Sequence, residues 1–405
     1  MSGDLPDFSP GWTENADVTD DVIISGSPVP RYSGKFWTSG QRKGSSLHEI
    51  SYRACFKPQL PAFFIRQLTS EGDLVYDPFN GRGTTAIEAA LQRRAVAAND
   101  INPLSLILTL PRLQPPDAWE VKKRLDEIPY REDNRVDIDL SMFYHQETEA
   151  EIVSLRGYLL EKAHTGTLDH VDEWIRMVAT NRLTGHSPGF FSVYTLPPNQ
   201  AVSAERQVLI NRKRNQKPGY RDTKDLIYRK TRSLLKGVDE TARDNLRYAG
   251  ENAVFLSRDA RDTPELKAGS VQLTVTSPPF LDVVQYSRDN WLRCWFNGID
   301  TQTIEKDITM TRSLGEWEEV MHGTFRELFR ITKPGGYVAF EVGEVRRGAV
   351  KLDEVVVPLG TRAGFSCQGI LVNCQHFTKT SHIWGIGNND SGTNTNRIVV
   401  FKKGF

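Results

Sequence analysis

The sequence predicts an α/β protein: a largely parallel sheet with helices on both faces, interrupted by a long, mostly helical insertion. Three observations carry this. A strand–turn–helix–strand unit occupies residues 73–100. The same rhythm returns after residue 253 and runs to the end of the chain. Between them, residues 110–250 lose the alternation and take up helical periodicity. The chain has 405 residues, enough for two or three structural units or for one large domain with an insertion. Its composition, 39% hydrophobic and 25% charged, is that of an ordinary globular chain rather than a disordered or fibrous one.

The elements follow in order. Residues 1–30 are rich in Pro, Gly, Ser and Asp and read as an irregular arm, and residues 31–47 as a loop. Together, 1–47 form an expected N-terminal arm. Residues 58–68 (PQLPAFFIRQL) predict a helix with its prolines near the start. DLVYDPF at 73–79 is a short apolar strand, NGRG at 80–83 a glycine turn, residues 84–94 a helix and AVAAND at 95–100 a second strand. Helices are expected at 148–163 and 170–183, followed by a Pro-aromatic loop at 189–200. Strands are expected at 253–260 and 271–280, a helix at 316–330, a turn into a buried strand at 333–343, and a last strand at 395–403. This divides the chain into a cofactor-binding part (48–109), the insertion (110–250) and a catalytic part (251–405).

Charge and cysteine usage exclude some classes. The 51 Lys+Arg and 51 Asp+Glu cancel, so net charge points to no polyanionic partner, although residues 205–236 hold 11 Lys/Arg against 3 Asp/Glu. No run of about 18 apolar residues predicts a membrane span. The acidic N-terminus lacks the apolar core of a secretory signal. The four cysteines are scattered without a Cys-x-x-Cys pair, which argues against a disulfide framework or zinc site and fits a reducing cytoplasm.

The glycine turn carries the first chemical signal. Glycines are needed where the backbone takes φ > 0 or approaches a ligand closely. The free N–H groups of the following helix start can hold an anionic group. Asp100 closes the next strand, 23 residues after Asp77, where a carboxylate can accept both hydroxyls of a ribose. The pairing points to an adenosine-containing cofactor. NAD is disfavoured because Asp77-Pro78-Phe79 does not belong to its fingerprint. A tight βα turn without a ligand is the bland alternative.

The second signal is Thr276-Ser277-Pro278-Pro279-Phe280, after the apolar strand VQLTV. Two prolines cannot continue a central strand, and they fix the neighbouring carbonyls rigidly. Ser277–Phe280 resembles the (D/N/S)-P-P-(Y/F/W) motif of the amino-directed DNA methyltransferases, whose target, an exocyclic amine on a nucleobase, is a poor nucleophile because its lone pair is delocalised into the ring. Acceptors placed on its hydrogens favour a pyramidal nitrogen that can attack an activated methyl. The Pro278 carbonyl can accept one such bond, Ser277 can accept or donate, and Phe280 offers a flat face to a base extruded from the duplex.

In both places the sequence resembles the amino-directed DNA methyltransferases. Residues 77–85 match the family's D-P-F-x-G-x-G-T-T motif at every fixed position, and Ser277–Phe280 matches its (D/N/S)-P-P-(Y/F/W) motif. The resemblance implies a Rossmann-like, S-adenosylmethionine (SAM)-dependent methyltransferase sheet. It implies that Asp77, Pro78, Phe79, Gly81, Gly83, Thr84 and Thr85 form the cofactor turn. Asp100 would bind the ribose, Ile101 would flank the adenine and Asp259 would approach its amino group. His48–Ile50 and Phe56–Pro58 resemble the block that completes the cofactor pocket. Tyr286, Asp289, Asn290, Trp291 and Trp295 fall where the family places a helix closing it, and Lys333–Gly336 resembles the turn before a late strand. The Ser form of the catalytic motif resembles the cytosine-N4 enzymes, with adenine-N6 as the alternative. An RNA-directed amino-methyltransferase and a DNA-binding module with a vestigial pocket are further readings. Cytosine-C5 chemistry is disfavoured, because it needs a cysteine nucleophile, usually in a Pro-Cys turn, and no cysteine here follows a proline. No metal is required.

The order, cofactor turn before catalytic turn, is the reverse of many Ser-Pro-Pro enzymes, as circular permutation of a compact sheet allows. The implied partner is double-stranded DNA and, in a restriction–modification pair, a companion restriction endonuclease. The insertion lies where some members carry target recognition. Its basic run includes Arg212, Lys213, Arg214, Arg221, Lys224, Arg229 and Lys230 as candidate phosphate contacts, with a solvated helix face as the alternative.

Overall fold

The computed structural model describes residues 16–37, 44–52, 55–130, 138–195, 201–279, 289–301, 313–345, 350–374 and 395–405. The predicted α/β sheet is present. Along the chain run β1 (Ala16–Ile24), β2 (Ser27–Gly34), α1 (Gln59–Leu68), β3 (Leu74–Asp77), α2 (Thr84–Leu91), β4 (Ala95–Asn99) and α3 (Leu104–Thr109). Six helices follow: α4 (Ala118–Glu127), α5 (Gln146–His164), α6 (His170–Arg182), α7 (Ala204–Arg214), α8 (Thr223–Leu234) and α9 (Glu240–Glu251). Then come β5 (Val254–Leu256), β6 (Val271–Thr276), α10 (Trp291–Asn297), α11 (Leu314–Ile331), β7 (Thr332–Val342), the small strands β8 (Glu344–Val345) and β9 (Val350–Lys351), α12 (Leu352–Arg362), β10 (Ser366–Cys374) and β11 (Thr395–Lys402).

Nine strands form one sheet in the order β1-β2-β10-β11-β7-β6-β3-β4-β5. β3 pairs in parallel with β4 and β6, β4 with β5, and β6 with β7. β11 inserts antiparallel between β7 and β10. The strand order reverses at β3: β4 and β5 lie on one side and β6 and β7 on the other. A crevice outside the carboxyl ends of the strands is expected at such a switch point.

Alternation along each strand feeds two cores. Val75, Leu273, Val275, Ala339 and Val400 face α1, α2 and the inserted helices, sharing one continuous core with Trp174 of α6 and Leu226 of α8. Tyr76, Val271, Val338, Phe340 and Phe401 face α11 and α12. There Phe325 packs on Phe340 and Phe401 with ring centroids 4.8 and 5.2 Å away. Truncating Phe325 to alanine would cost about 3–5 kcal/mol. The insertion is therefore packed onto the sheet rather than hung from it. α9 lies against α2 and β4, where it serves as the crossover into β5.

One expectation is corrected. Within the N-terminal arm, residues 16–34 are a β-hairpin rather than irregular chain or loop. It turns at Ser25 and Gly26, both at positive φ, and β2 joins the main sheet in parallel with β10. Its strand ADVTDDVII is largely exposed and acidic, and its partner carries Pro28 and Pro30. Charges and prolines are features of edge strands, so the apolar alternation that marks a strand is missing here.

Candidate active site

Backbone geometry builds the glycine turn first. Gly81 and Gly83 sit at φ +53° and +79°, in the left-handed region. A Cβ on Gly83 would meet Thr109 Oγ1 at 2.4 Å, so glycine is required twice over. The Asn80 N–H donates to Asn99 O (2.9 Å), and its side chain donates to Ser105 Oγ and Thr109 Oγ1. The turn is thus pinned between the end of β4 and one side of α3.

Two aspartates organise the strand ends. Asp77 is buried and accepts from the Phe79 N–H (3.1 Å) and from Thr276 Oγ1 (2.6 Å), tying the end of β3 to the end of β6. Burial pushes its pKa up to about 7, against the pull of those hydrogen bonds. Asp100 accepts from the Gly81 N–H (2.8 Å) and the Asn102 N–H (2.9 Å), and burial raises its pKa to about 6. A carboxylate has about four acceptor sites, so two remain for a ligand.

The cleft joins parts far apart in the chain. Pro78, Phe79, Gly81, Thr84, Asp100, Ile101, Asp259, Ser277 and Pro279 all line it. The glycine turn and the Ser-Pro-Pro turn therefore share one cavity. Thr85 Oγ1 donates to Val275 O (3.0 Å), a second tie between the two halves. Asp77, Gly83 and Thr85 stand behind the surface as its frame, and Pro278 is buried between the two lining residues. Asp259 lines the cleft with its carboxylate held by the Arg261 N–H and guanidinium, which draws its pKa down. Phe280 and Tyr286 lie outside the described residues.

Other walls carried no local signal. Tyr52, Cys55 and Phe56 also line the cleft; of these only Phe56 belongs to the segments His48–Ile50 and Phe56–Pro58 that the resemblance named. Trp317, Val320, Met321 and Thr324 of α11 line it as well, and Trp317 Nε1 donates to Pro279 O (3.0 Å) across 38 residues. The spacing of α11 identified a helix, but nothing in it pointed to Pro279. Arg82, the variable residue between the two glycines, also lines the cleft. Asp289 and Asn290 are buried, Trp291 Nε1 donates to Val202 O (3.2 Å), and Trp295 lies under Arg156.

The basic run is dispersed. Arg212, Lys213 and Arg214 are exposed at the end of α7, with Arg214 over the Tyr194 ring (3.7 Å). Arg229 pairs with Asp225 on its own helix. Lys224 Nζ donates to Ile128 O (2.7 Å) and lies over Tyr130, while Lys230 bonds Glu49 (2.9 Å) and is 11% exposed. Arg221 is half-buried, its N–H bonded to Thr148 Oγ1. Phe190 and Phe191 are buried. Among the described residues, no helix is long and apolar enough to cross a membrane, and no group of three or more His, Cys, Asp or Glu is placed to hold a metal ion.

Known proteins bear on this geometry. Residues 15–106 match the family model for DNA methylases of the N6 and N4 type, which bears out the resemblance carried by residues 77–85. The type II methyltransferase M.MjaII of Methanocaldococcus jannaschii is 32% identical over 88 residues, 22% of this chain and 17% of that protein. The type II methyltransferase M.MvaI of Kocuria varians is 23% identical over 301 residues, 67% of this chain and 60% of that protein. The chain thus spans less than two thirds of either relative. Among solved structures, TrmN from Thermus thermophilus matches at TM-score 0.31 and 15% identity, over 88% of this chain and 51% of its own. The rRNA methyltransferase aviRa from Streptomyces viridochromogenes matches at TM-score 0.34 and 12% identity, over 89% and 90%. The fold rests on the strand order above, not on these alignments.

Proposed function

Starting from the DNA methylase pattern over residues 15–106, we propose that this chain methylates an exocyclic amine of a base extruded from double-stranded DNA, with N4 of cytosine as the target. The observation that carries the reading is the shared cleft, lined by Gly81 and Asp100 together with Ser277 and Pro279. SAM, when bound, supplies a methyl activated by a sulfonium.

The chain's own residues supply position and electrostatics. Asp100 offers its two remaining acceptor sites to a ribose, and Phe79 and Ile101 present apolar surface. Asp259 stands at the adenine end. Ser277 and the Pro278 carbonyl, rigid because of the two prolines, accept hydrogens of the target amine and favour the pyramidal nitrogen that attacks. Phe280 would stack on the extruded base. Cytosine over adenine rests on Ser277 at the head of the motif. The insertion, with Arg212, Lys213 and Arg214 exposed, serves as the DNA-facing part.

Tritiated methyl transfer tests this directly. Purified chain is incubated with labelled cofactor and either duplex DNA or RNA, and the product is digested to nucleosides. Label in 4-methylcytosine from DNA is the expected result. Label in N6-methyladenine overturns the base assignment. Label only in RNA, or none at all, overturns the function.

A further inference from the structure

The glycine turn is braced from behind by an arginine that belongs to no motif. Arg112 sits in the short 3-10 turn Leu110–Leu113 after α3 and is fully buried. Its guanidinium donates through Nε to Leu108 O (2.9 Å), through one Nη to Leu47 O (2.9 Å) and through the other to Arg82 O. No carboxylate pairs with it among the described residues, and burial draws its pKa down to about 9, with the Arg82 charge adding to the shift. A buried cation is costly unless its donors are satisfied. Here each guanidinium nitrogen has one backbone carbonyl as its partner.

The position of those carbonyls is informative. The Arg82 carbonyl belongs to the peptide joining Arg82 to Gly83, whose N–H donates to Asn80 O at 2.7 Å. Both ends of that peptide are thus held. A flip of this peptide turns on Arg82 ψ and Gly83 φ, and Gly83, at positive φ and without a Cβ, imposes little steric restraint on it. The Arg82 side chain then carries the brace forward. It donates to His48 O (3.1 Å) and Ile50 O (2.9 Å), at the base of the segment that brings Tyr52 and Phe56 to the cleft wall.

We propose that Arg112 is a positioning residue for the cofactor cleft, fixing the Arg82–Gly83 peptide and, through Arg82, seating Tyr52 and Phe56 against the glycine turn. The proposal rests on the cleft being a SAM site. A lysine at 112 offers a single ammonium where three divergent bonds are made, so the turn would sample other peptide orientations.

The test compares wild type, Arg112→Lys and Arg82→Lys. Calorimetric titration gives Kd for SAM, steady-state transfer gives KM and kcat, and hydrogen exchange follows peptides over 44–52 and 80–84 without ligand. Arg112→Lys is expected to raise Kd and KM about tenfold with kcat changed less than about threefold, as for misplacement of a binding surface. Exchange should quicken in those two peptides and not in β6 or β7. A variant that melts earlier yet binds SAM with wild-type Kd overturns the proposal, because a purely structural arginine behaves that way. If wild type itself does not bind SAM, the functional reading fails separately. Exchange then decides: local acceleration supports the brace, and none, or acceleration across the whole sheet, overturns it. Should Arg112→Lys not fold, Arg82→Lys carries the same readouts.

Discussion

The two turns and the basic run are equally conspicuous in the sequence, yet the structure treats them differently. Residues 77–85 and 276–279 stay together as units and meet at one cleft. The run from Arg206 to Lys236 separates: three cations at the end of α7 face outward, while Lys224 and Lys230 are bonded to Ile128 and Glu49. A glycine or proline pattern specifies backbone geometry, and geometry has few solutions. A count of charges specifies no direction, because a long side chain can reach solvent or a carbonyl at similar cost.

The most severe way to break this comparison is to remove chemistry from a turn while leaving its geometry. Ser277→Ala should lower methyl transfer about 100-fold or more at saturating cofactor, with SAM affinity near wild type. Full activity in that variant would reduce the catalytic turn to a rigid corner. Geometry can be attacked next. Gly83→Ala should destabilise the fold by about 2–4 kcal/mol, combining a left-handed φ with overlap on Thr109. Gly81→Ala meets nothing nearer than Tyr52 Cε1 at 3.4 Å and should cost about 1–2 kcal/mol. Urea melts giving equal losses would show that φ alone, not the contact with Thr109, sets the demand.

This contrast explains what could be read in advance. The glycine turn, the strand before it and Asp100 were legible because positive φ, a βα reversal and a strand-end carboxylate each have a residue signature. The hairpin Ala16–Gly34 was not, since its exposed acidic strand has the composition of a loop. Trp317 and Arg112 were not legible either. Their partners, Pro279 and Arg82, are reached only once the sheet has brought distant segments together.

Asp77 joins the two turns, and its titration measures how far that junction is shielded from water. Below its unfolded value of 3.8 the group is protonated in both states. As pH rises from there toward about 7, the unfolded chain releases the proton and the folded one keeps it, so stability falls over that window and levels off above it. Asp77→Asn removes this titration. The melting-temperature difference, variant minus wild type, should therefore grow from about pH 4 to about pH 7 and stay flat beyond. A difference independent of pH would mean that the carboxyl is hydrated, or that the bonds from Phe79 and Thr276 fully offset its burial.

The smallest effects lie in the basic run, and there the comparison is sharpened rather than broken. If α7 faces the duplex, Arg212→Ala and Lys213→Ala should each reduce the slope of log affinity against log salt by about 1, measured by anisotropy of a labelled duplex over a KCl series. Lys230→Ala should leave that slope alone. It loses a bond to Glu49, and because the pair is only partly shielded, a stability change under about 1 kcal/mol is expected. Lys224→Ala should behave likewise, giving up Ile128 O and the Tyr130 ring. A slope that fell equally for Lys230 and Arg212 would mean that the cations bonded within the fold are released on DNA binding. The run would then act as one surface after all, and the distinction between turns and run would hold only for the free protein.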